Sequence, residues 1–325
     1  MATYNNILEL IGNTPIVELH QFDTGPCRLF MKLEFFNPGG SIKDRIAVSM
    51  IEDAEKKGLL KPGGTIVEAT AGNTGIALAL VAIAKGYKML VVMPDKMSPE
   101  KVQHLKALGA EVIMTRSDVN KGHPEYYHDL AERISKETKN SYYINQFANP
   151  ANPLAHETTT APEIWEQMDH DVDAVVAGVG TSGTITGIGR YLKKVSPNID
   201  IVLADPEGSI LTHYINTGEL LEKSGSWLVE GIGEDYIPTI ADMSLVDHAF
   251  TVTDTQAFQA SRDLLRKEGI FAGSSTGTLL HAALEYCRKQ TKPKRVVTFA
   301  CDTGAKYMSK IFNDAWLKEK GLVVR

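Results

Sequence analysis

Short apolar runs alternate along this chain with longer segments in which apolar residues recur at helical spacing. Residues 29–33 (Leu-Phe-Met-Lys-Leu), 65–69 (Thr-Ile-Val-Glu-Ala), 88–93 and 111–114 read as strands, and so do 173–177, 199–204, 249–252 and 295–300. Between them, a helical pattern opens at Ile46, and 73–85, 124–137, 153–167, 183–194, 255–267 and 276–289 read as helices. Ser98 is placed to cap a further helix with Pro99 at its first position, and one or two helices close the chain. Val/Ile-rich strands alternating with helices predict an α/β fold with largely parallel sheets. The series restarts near Asn152, which predicts two lobes, with a site between them as the default. The expected division is 1–40 plus 150–325 for a larger cofactor-binding domain and 41–149 for a smaller, mobile one.

Composition narrows the function classes. The chain has 325 residues, 43% hydrophobic and 23% charged, which is ordinary for a globular protein with real cores. No run approaches the roughly 18 apolar residues of a membrane helix, and the N-terminus lacks the pattern of a signal peptide. Three cysteines, Cys27, Cys287 and Cys301, form no CxxC pair, so neither a disulfide framework nor a metal cluster is indicated, and a reducing cytoplasm fits. The nine histidines show no metal-ligand spacing. A net charge of -6 without a basic run argues against a nucleic-acid partner.

Four stretches carry candidate chemistry. Residues 37–45 (Asn-Pro-Gly-Gly-Ser-Ile-Lys-Asp-Arg) join a strand to a helix and put Lys43 at a helix N-terminus. Peptide dipoles disfavour positive charge there, which suits an amine that must lose its proton and act as a nucleophile. Taken alone, Lys43 reads first as an ordinary solvated surface lysine, and the rest of the chain has to overturn that reading. Residues 68–75 (Glu-Ala-Thr-Ala-Gly-Asn-Thr-Gly) end a strand and start a helix, so Thr70, Ala71, Gly72, Asn73 and Thr74 form a turn able to hold a carboxylate or phosphate. Residues 178–184 (Gly-Val-Gly-Thr-Ser-Gly-Thr) form a G-x-G-x-x-G after a strand, with acidic residues about twenty positions on, as in a dinucleotide fingerprint. Its three hydroxyls, on Thr181, Ser182 and Thr184, suit a terminal phosphate better than a pyrophosphate. A nicotinamide oxidoreductase nevertheless stays open on spacing alone. Residues 272–278 (Ala-Gly-Ser-Ser-Thr-Gly-Thr) place small residues before another helix, as a bland cap or a ligand loop. A phosphate cradle, a helix-end lysine and a carboxylate loop are what a pyridoxal phosphate enzyme acting on an amino acid requires.

In this order the motifs resemble the fold-type II pyridoxal phosphate enzymes of the cysteine synthase and cystathionine β-synthase family. The resemblance runs from residue 11 to about 316, through 37–45, 70–75, 146–163, 180–184 and 273–277. It implies a two-lobed α/β fold like that of the tryptophan synthase β chain, with each lobe a mostly parallel sheet flanked by helices. It also implies roles: Lys43 as the catalytic Schiff-base lysine, Asn73 on the cofactor's phenolic oxygen, and Gly180, Thr181, Ser182, Gly183 and Thr184 around its phosphate. Ser275 would meet the pyridine nitrogen. Thr70, Ala71, Gly72, Asn73 and Thr74, with Gln146 and Gly231, would line the substrate side. The implied reaction is β-replacement on L-serine by homocysteine through an aminoacrylate, giving cystathionine in transsulfuration. The alternative is cysteine synthesis from O-acetylserine and sulfide. A homodimer is implied as well.

Stretches 34–37, 51–55, 93–98, 205–209 and 229–233 lean toward the catalytic core of the cystathionine β-synthase branch, whereas 149–153 and 163–165 fit cysteine synthases too. Five positions depart from the pattern: Ala71 for serine, Glu234 and Phe147 for the tyrosines of the animal and yeast β-synthases, Ser182 for glycine, and Cys301 for proline. With ten residues before Ile11 and none after Arg325, neither a haem-binding extension nor adenosylmethionine activation is expected.

Overall fold

A computed structural model describes residues 3–70, 72–95, 99–119 and 122–324. The expected cap at Ser98 and Ala71, expected on the substrate side, lie outside the described residues. In chain order the elements begin with β1 (Ile16–Leu19), β2 (Arg28–Leu33), α1 (Lys43–Lys56), β3 (Thr65–Ala69), α2 (Asn73–Lys85) and β4 (Lys88–Pro94). There follow α3 (Pro99–Ala107), β5 (Glu111–Thr115), α4 (Tyr127–Glu137), β6 (Ser141–Tyr143), α5 (Ala151–Ala155) and α6 (Ala161–Gln167). The chain then runs through β7 (Ala174–Gly178), α7 (Gly183–Val195), β8 (Asp200–Pro206), α8 (Leu211–Thr217) and β9 (His248–Val252). It ends with α9 (Asp254–Glu268), α10 (Ser274–Arg288), β10 (Arg295–Ala300) and α11 (Asp314–Glu319).

The chain divides into two compact units. The first takes Met1–Ile11 and Asn37–Asn152, the second Gly12–Phe36 and Pro153–Arg325. The segment through Ile11 falls with the first unit.

The first unit is built on four parallel strands in the order β5-β4-β3-β6. β3 and β4 are buried along nearly their whole length, as strands covered on both faces must be, and this is why their sequences are runs of Val, Ile and Met. On one face Val67, Ala69, Leu90, Val92 and Ala131 pack together, with Tyr127, Leu130 and Ile134 of α4 closing over them. α1 buries Ile46, Ala47, Met50, Ile51 and Ala54, a stripe at helical spacing, and packs against α2.

The second unit carries six strands in the order β1-β2-β10-β7-β8-β9. All pairs are parallel except β1 with β2. α9 starts with a capping box, in which Thr253 accepts from the Gln256 amide and the Gln256 side chain accepts from the Thr253 N–H. Its close packing on α10 depends on Gly277, where a Cβ would collide with the Ala257 carbonyl. A fully buried Lys32 on β2 pairs with Glu163 of α6 at 2.9 Å and donates to the Thr14 carbonyl, tying the start of this unit to its interior.

The structure departs from the sequence expectations in several elements. The helix expected over 153–167 is interrupted by one wide π turn, His156–Thr160, between α5 and α6. The stretch expected as a loop before the last long helix is instead that helix's first turn, so Ser274 and Ser275 are helical. β1, β6 and α8 were not expected at all.

Candidate active site

Both sheets have a strand order that reverses, and ligands of open α/β sheets bind beyond the carboxyl ends of the strands at such a point. In the first unit the chain moves outward from β3 through β4 to β5 and then returns to β6 on the other side of β3. The turns that leave β3 and β6 therefore share one end of the sheet. They carry Thr70, Gly72, Asn73 and Thr74 on one side and Gln146 on the other.

The structure brings these residues together. Thr74 Oγ1 donates to Gln146 Oε1 at 2.6 Å, with both side chains buried. The Gly72 amide donates to Thr70 Oγ1 at 3.3 Å, and a Cβ at Gly72 would meet nothing within 4 Å, so the backbone there is open to an approaching group. Asn73 is the first residue of α2, at the positive end of the helix dipole. Gln146 follows Asn145, whose φ of 50° is left-handed, and its carbonyl accepts from Asn152 Nδ2 at 2.8 Å. Behind the turn, fully buried Glu68 accepts from the Gln146 amide at 3.5 Å. Burial pushes the Glu68 carboxyl up to about 8 against the opposing hydrogen bonds of Asn145 and Gln146.

Lys43 is the first residue of α1 and half-buried. The turn before it is pinned by Asp44, which accepts from the Gly39 amide, and by Gly40 at φ 71°, whose N–H donates to the Asn37 carbonyl. The Lys43 amide itself donates to Ser41 Oγ at 3.3 Å. A side chain at Gly39 would strike the Asp44 carboxylate, which is why two glycines stand in this turn.

In the second unit the chain runs from β7 through β8 to β9 and returns to β10 on the other side of β7. The loop after β7 holds Gly180, Thr181 and Ser182, and α7 follows with Gly183 and Thr184. Gly180 lies against the 229–233 loop, where a Cβ would stand 2.5 Å from the Gly231 carbonyl oxygen. The Gly233 amide donates to the Val179 carbonyl at 2.8 Å, so the two loops are latched. Ser182 has φ 70°, a conformation that glycine adopts without cost, and its hydroxyl donates to the Thr181 carbonyl. Its amide is then the group it still offers to a ligand. Thr184 Oγ1 lies 3.2 Å from Nε2 of His156, whose Nδ1 lies 2.9 Å from Thr160 Oγ1, so the π turn places a buried imidazole behind this loop.

Ser275 is buried in the first turn of α10. Its neighbours tie that turn to the other loops. Ser274 Oγ accepts from the Glu230 amide at 3.0 Å, and Thr276 Oγ1 accepts from the Cys301 amide just beyond β10. Lys310 pairs with Glu230 at 2.6 Å. Beyond Gly233, burial and the charges of Asp235 and Asp205 push Glu234 up to about 9.

The second unit thus gathers Gly180, Thr181, Ser182, Gly183, Thr184, Gly231 and Ser275 at the carboxyl end of one sheet. The first gathers Thr70, Gly72, Asn73, Thr74 and Gln146 at that of the other. The loop of small residues and amides leading into α7 fits a phosphate, because Gly180 leaves no room for a side chain and the helix N-terminus favours an anion. Sequence reasoning missed Glu68 and His156. Glu68 was detectable as a charged residue inside an apolar strand, whereas His156 in a helical pattern gave no signal. Among the described residues no cluster of three or more metal-ligating side chains occurs, and no helix is long and apolar enough to cross a membrane.

Two mostly parallel sheets of this order, with these loops, define a fold-type II pyridoxal phosphate enzyme. A pyridoxal-phosphate dependent enzyme family matches residues 7–302. Cystathionine beta-synthase of Apis mellifera is 45% identical over 321 residues, 98% of this chain and 63% of that protein. Cysteine synthase 1 of Neurospora crassa is 44% identical over 319 residues, 96% of this chain and 84% of that protein. A hydrogen sulfide-producing enzyme of Fusobacterium nucleatum superposes with a TM-score of 0.86 at 39% identity, covering 94% of this chain and all of that one. O-ureido-L-serine synthase superposes with a TM-score of 0.88 at 36% identity, covering 98% of this chain and all of that one. The chain belongs to the pyridoxal-phosphate dependent cysteine synthase and cystathionine β-synthase family, and its cofactor is pyridoxal 5'-phosphate. It spans less than two thirds of the length of the bee β-synthase. The nicotinamide reading of the G-x-G-x-x-G stretch is set aside by this membership.

Proposed function

We propose that this protein replaces the β-hydroxyl of L-serine with the thiol of homocysteine to form cystathionine. Support comes first from 45% identity to a cystathionine β-synthase across 98% of the chain. Lys43 would hold the cofactor covalently, Asn73 its phenolic oxygen, Ser275 its ring nitrogen, and residues 180–184 its phosphate. The bound cofactor supplies the electron sink that makes a Cα proton removable. The chain's own groups do the rest. The turn of Thr70, Ala71, Gly72, Asn73 and Thr74, with Gln146, binds the substrate carboxylate through hydroxyls and amides at the α2 N-terminus. The Lys43 Nζ takes the α-proton and delivers a proton to the departing β-oxygen. Gly231, in the loop latched to the phosphate loop, borders the second substrate.

Cysteine synthesis from O-acetylserine and sulfide is the second reading. It is favoured by the 44% identity to cysteine synthase 1, of which the chain spans 84%. It gains weight from Glu234 and Phe147, where the animal and yeast β-synthases carry tyrosine. The test is a four-way assay of purified holoenzyme: serine or O-acetylserine, each with homocysteine or sulfide, with products identified by mass spectrometry. The first reading expects cystathionine from serine and homocysteine as the fastest reaction. Turnover confined to O-acetylserine would overturn serine as the substrate, and sulfide outcompeting homocysteine would overturn the thiol assignment.

A further inference from the structure

The buried carboxyl behind the substrate loop has no role in the scheme above. Glu68 occupies the next-to-last position of β3, paired in register with Val91 of β4, and is fully buried. Its strand neighbours Val67 and Ala69 point into the apolar layer under α4, so Glu68 points to the opposite face. There its Oε1 accepts from the Gln146 amide at 3.5 Å, while Oε2 has no hydrogen-bond partner. A fully buried carboxyl with a free oxygen is expensive, and an amide or an apolar residue would serve a purely structural strand better. What the carboxyl does touch is the turn that presents Gln146. Its Oε1 takes the Gln146 N–H, and the Asn145 amide and the Gln146 side chain, whose oxygen is held by Thr74, act on its carboxyl to lower it against the burial.

We propose that Glu68 is a positioning residue for substrate recognition: its carboxyl fixes the 145–146 turn and the Gln146 amide against Thr74, and it must be uncharged for the adjoining loop to accept an amino-acid carboxylate. This rests on the reading that the 70–74 turn and Gln146 bind that carboxylate. The charge requirement follows from geometry. Among the described residues, the groups that shift the Glu68 carboxyl besides its burial are those of Asn145 and Gln146. Of the β6 tyrosines, Tyr142 pairs with Ile66 and so shares the face to which Glu68 points, while Tyr143 pairs with Val67 on the α4 face; both phenols are pushed up, by burial first. An ionised Glu68 would set an uncompensated negative charge in a low-dielectric core behind a site for another negative charge. Burial holds the carboxyl protonated up to about pH 8, so the site stays neutral at physiological pH.

The test is equilibrium binding of L-serine to the holoenzyme, read from the visible absorption of the cofactor between pH 7 and pH 9. If only the neutral form binds, a group titrating near 8 weakens wild-type binding about tenfold over that interval. Glu68→Gln keeps an acceptor oxygen and cannot ionise, so the ratio of its serine affinity to that of the wild type should rise about tenfold from pH 7 to pH 9, because the titration of the substrate amine is common to both enzymes. Glu68→Ala, which releases the turn, should bind serine at least tenfold more weakly at pH 7. A Glu68→Gln enzyme with the wild-type alkaline loss would overturn the proposal, as would a folded Glu68→Ala enzyme with undiminished affinity. If Glu68→Ala fails to fold, the Glu68→Gln profile decides alone. Gln146→Ala separates the underlying reading: unchanged serine affinity in that variant would show that the carboxylate does not bind at this loop, whatever Glu68 does.

Discussion

Single residues decide how closely the loops of the second unit can approach one another. Gly180 has no alternative, because any side chain would stand 2.5 Å from the Gly231 carbonyl and push the 229–233 loop away. Gly180→Ala should therefore weaken cofactor binding at least tenfold, measured by titrating pyridoxal phosphate into the apoenzyme and following fluorescence. Ser182 is the opposite case. It holds a left-handed φ of 70° that costs a non-glycine residue about 1 kcal/mol. This explains the glycine that the family pattern carries there, and Ser182→Gly should raise the melting temperature by about 2 °C. The lysine turn was readable from sequence because Pro38, Gly39 and Gly40 mark it without reference to the rest of the fold. Glu68 and His156 were not assigned, because their meaning depends on partners far along the chain: Gln146 for the first, Thr184 for the second.

Elements of regular length and strong pattern were legible, and the weak ones were not. β3 and β10 match the sequence reading residue for residue, since apolar runs buried on both faces leave little choice of register. β6 is only three half-buried residues long and α8 only seven residues, mostly polar and with Leu211 alone buried, so neither produces a periodic signal. The π turn of His156–Thr160 was invisible for another reason: helical spacing is kept on both sides of it, and only the extra residue shifts the faces. That shift carries His156 to Thr184. His156→Ala is expected to loosen the cofactor by several fold without unfolding α5 and α6, checked by the same apoenzyme titration and by circular dichroism. At α9, by contrast, the capping box is purely structural. Thr253→Ala should cost about 1 kcal/mol of stability and leave serine affinity unchanged, as a thermal melt beside a binding titration would show.

At the scale of the whole molecule, buried carboxyls link stability to pH. Glu68 and Glu234 are raised from 4.5 to about 8 and about 9. A carboxyl raised by folding contributes stability that is complete below its unfolded value and is lost as pH climbs through its folded value. The melting temperature should therefore fall progressively from about pH 4.5 to about pH 9, and Glu234→Gln should flatten the part of that decline above pH 8. The two-unit α/β architecture was legible from alternation alone. The course of the segment through Ile11 was not, because no periodicity marks which unit a short, half-exposed segment joins.

If Lys43 carries the cofactor, as proposed, reduction will fix the two together. The purified yellow enzyme is reduced with borohydride, digested, and its peptides mapped by mass spectrometry. A phosphopyridoxyl group is expected on Lys43. A label on another lysine, or a reduced protein with no label at all, would contradict it.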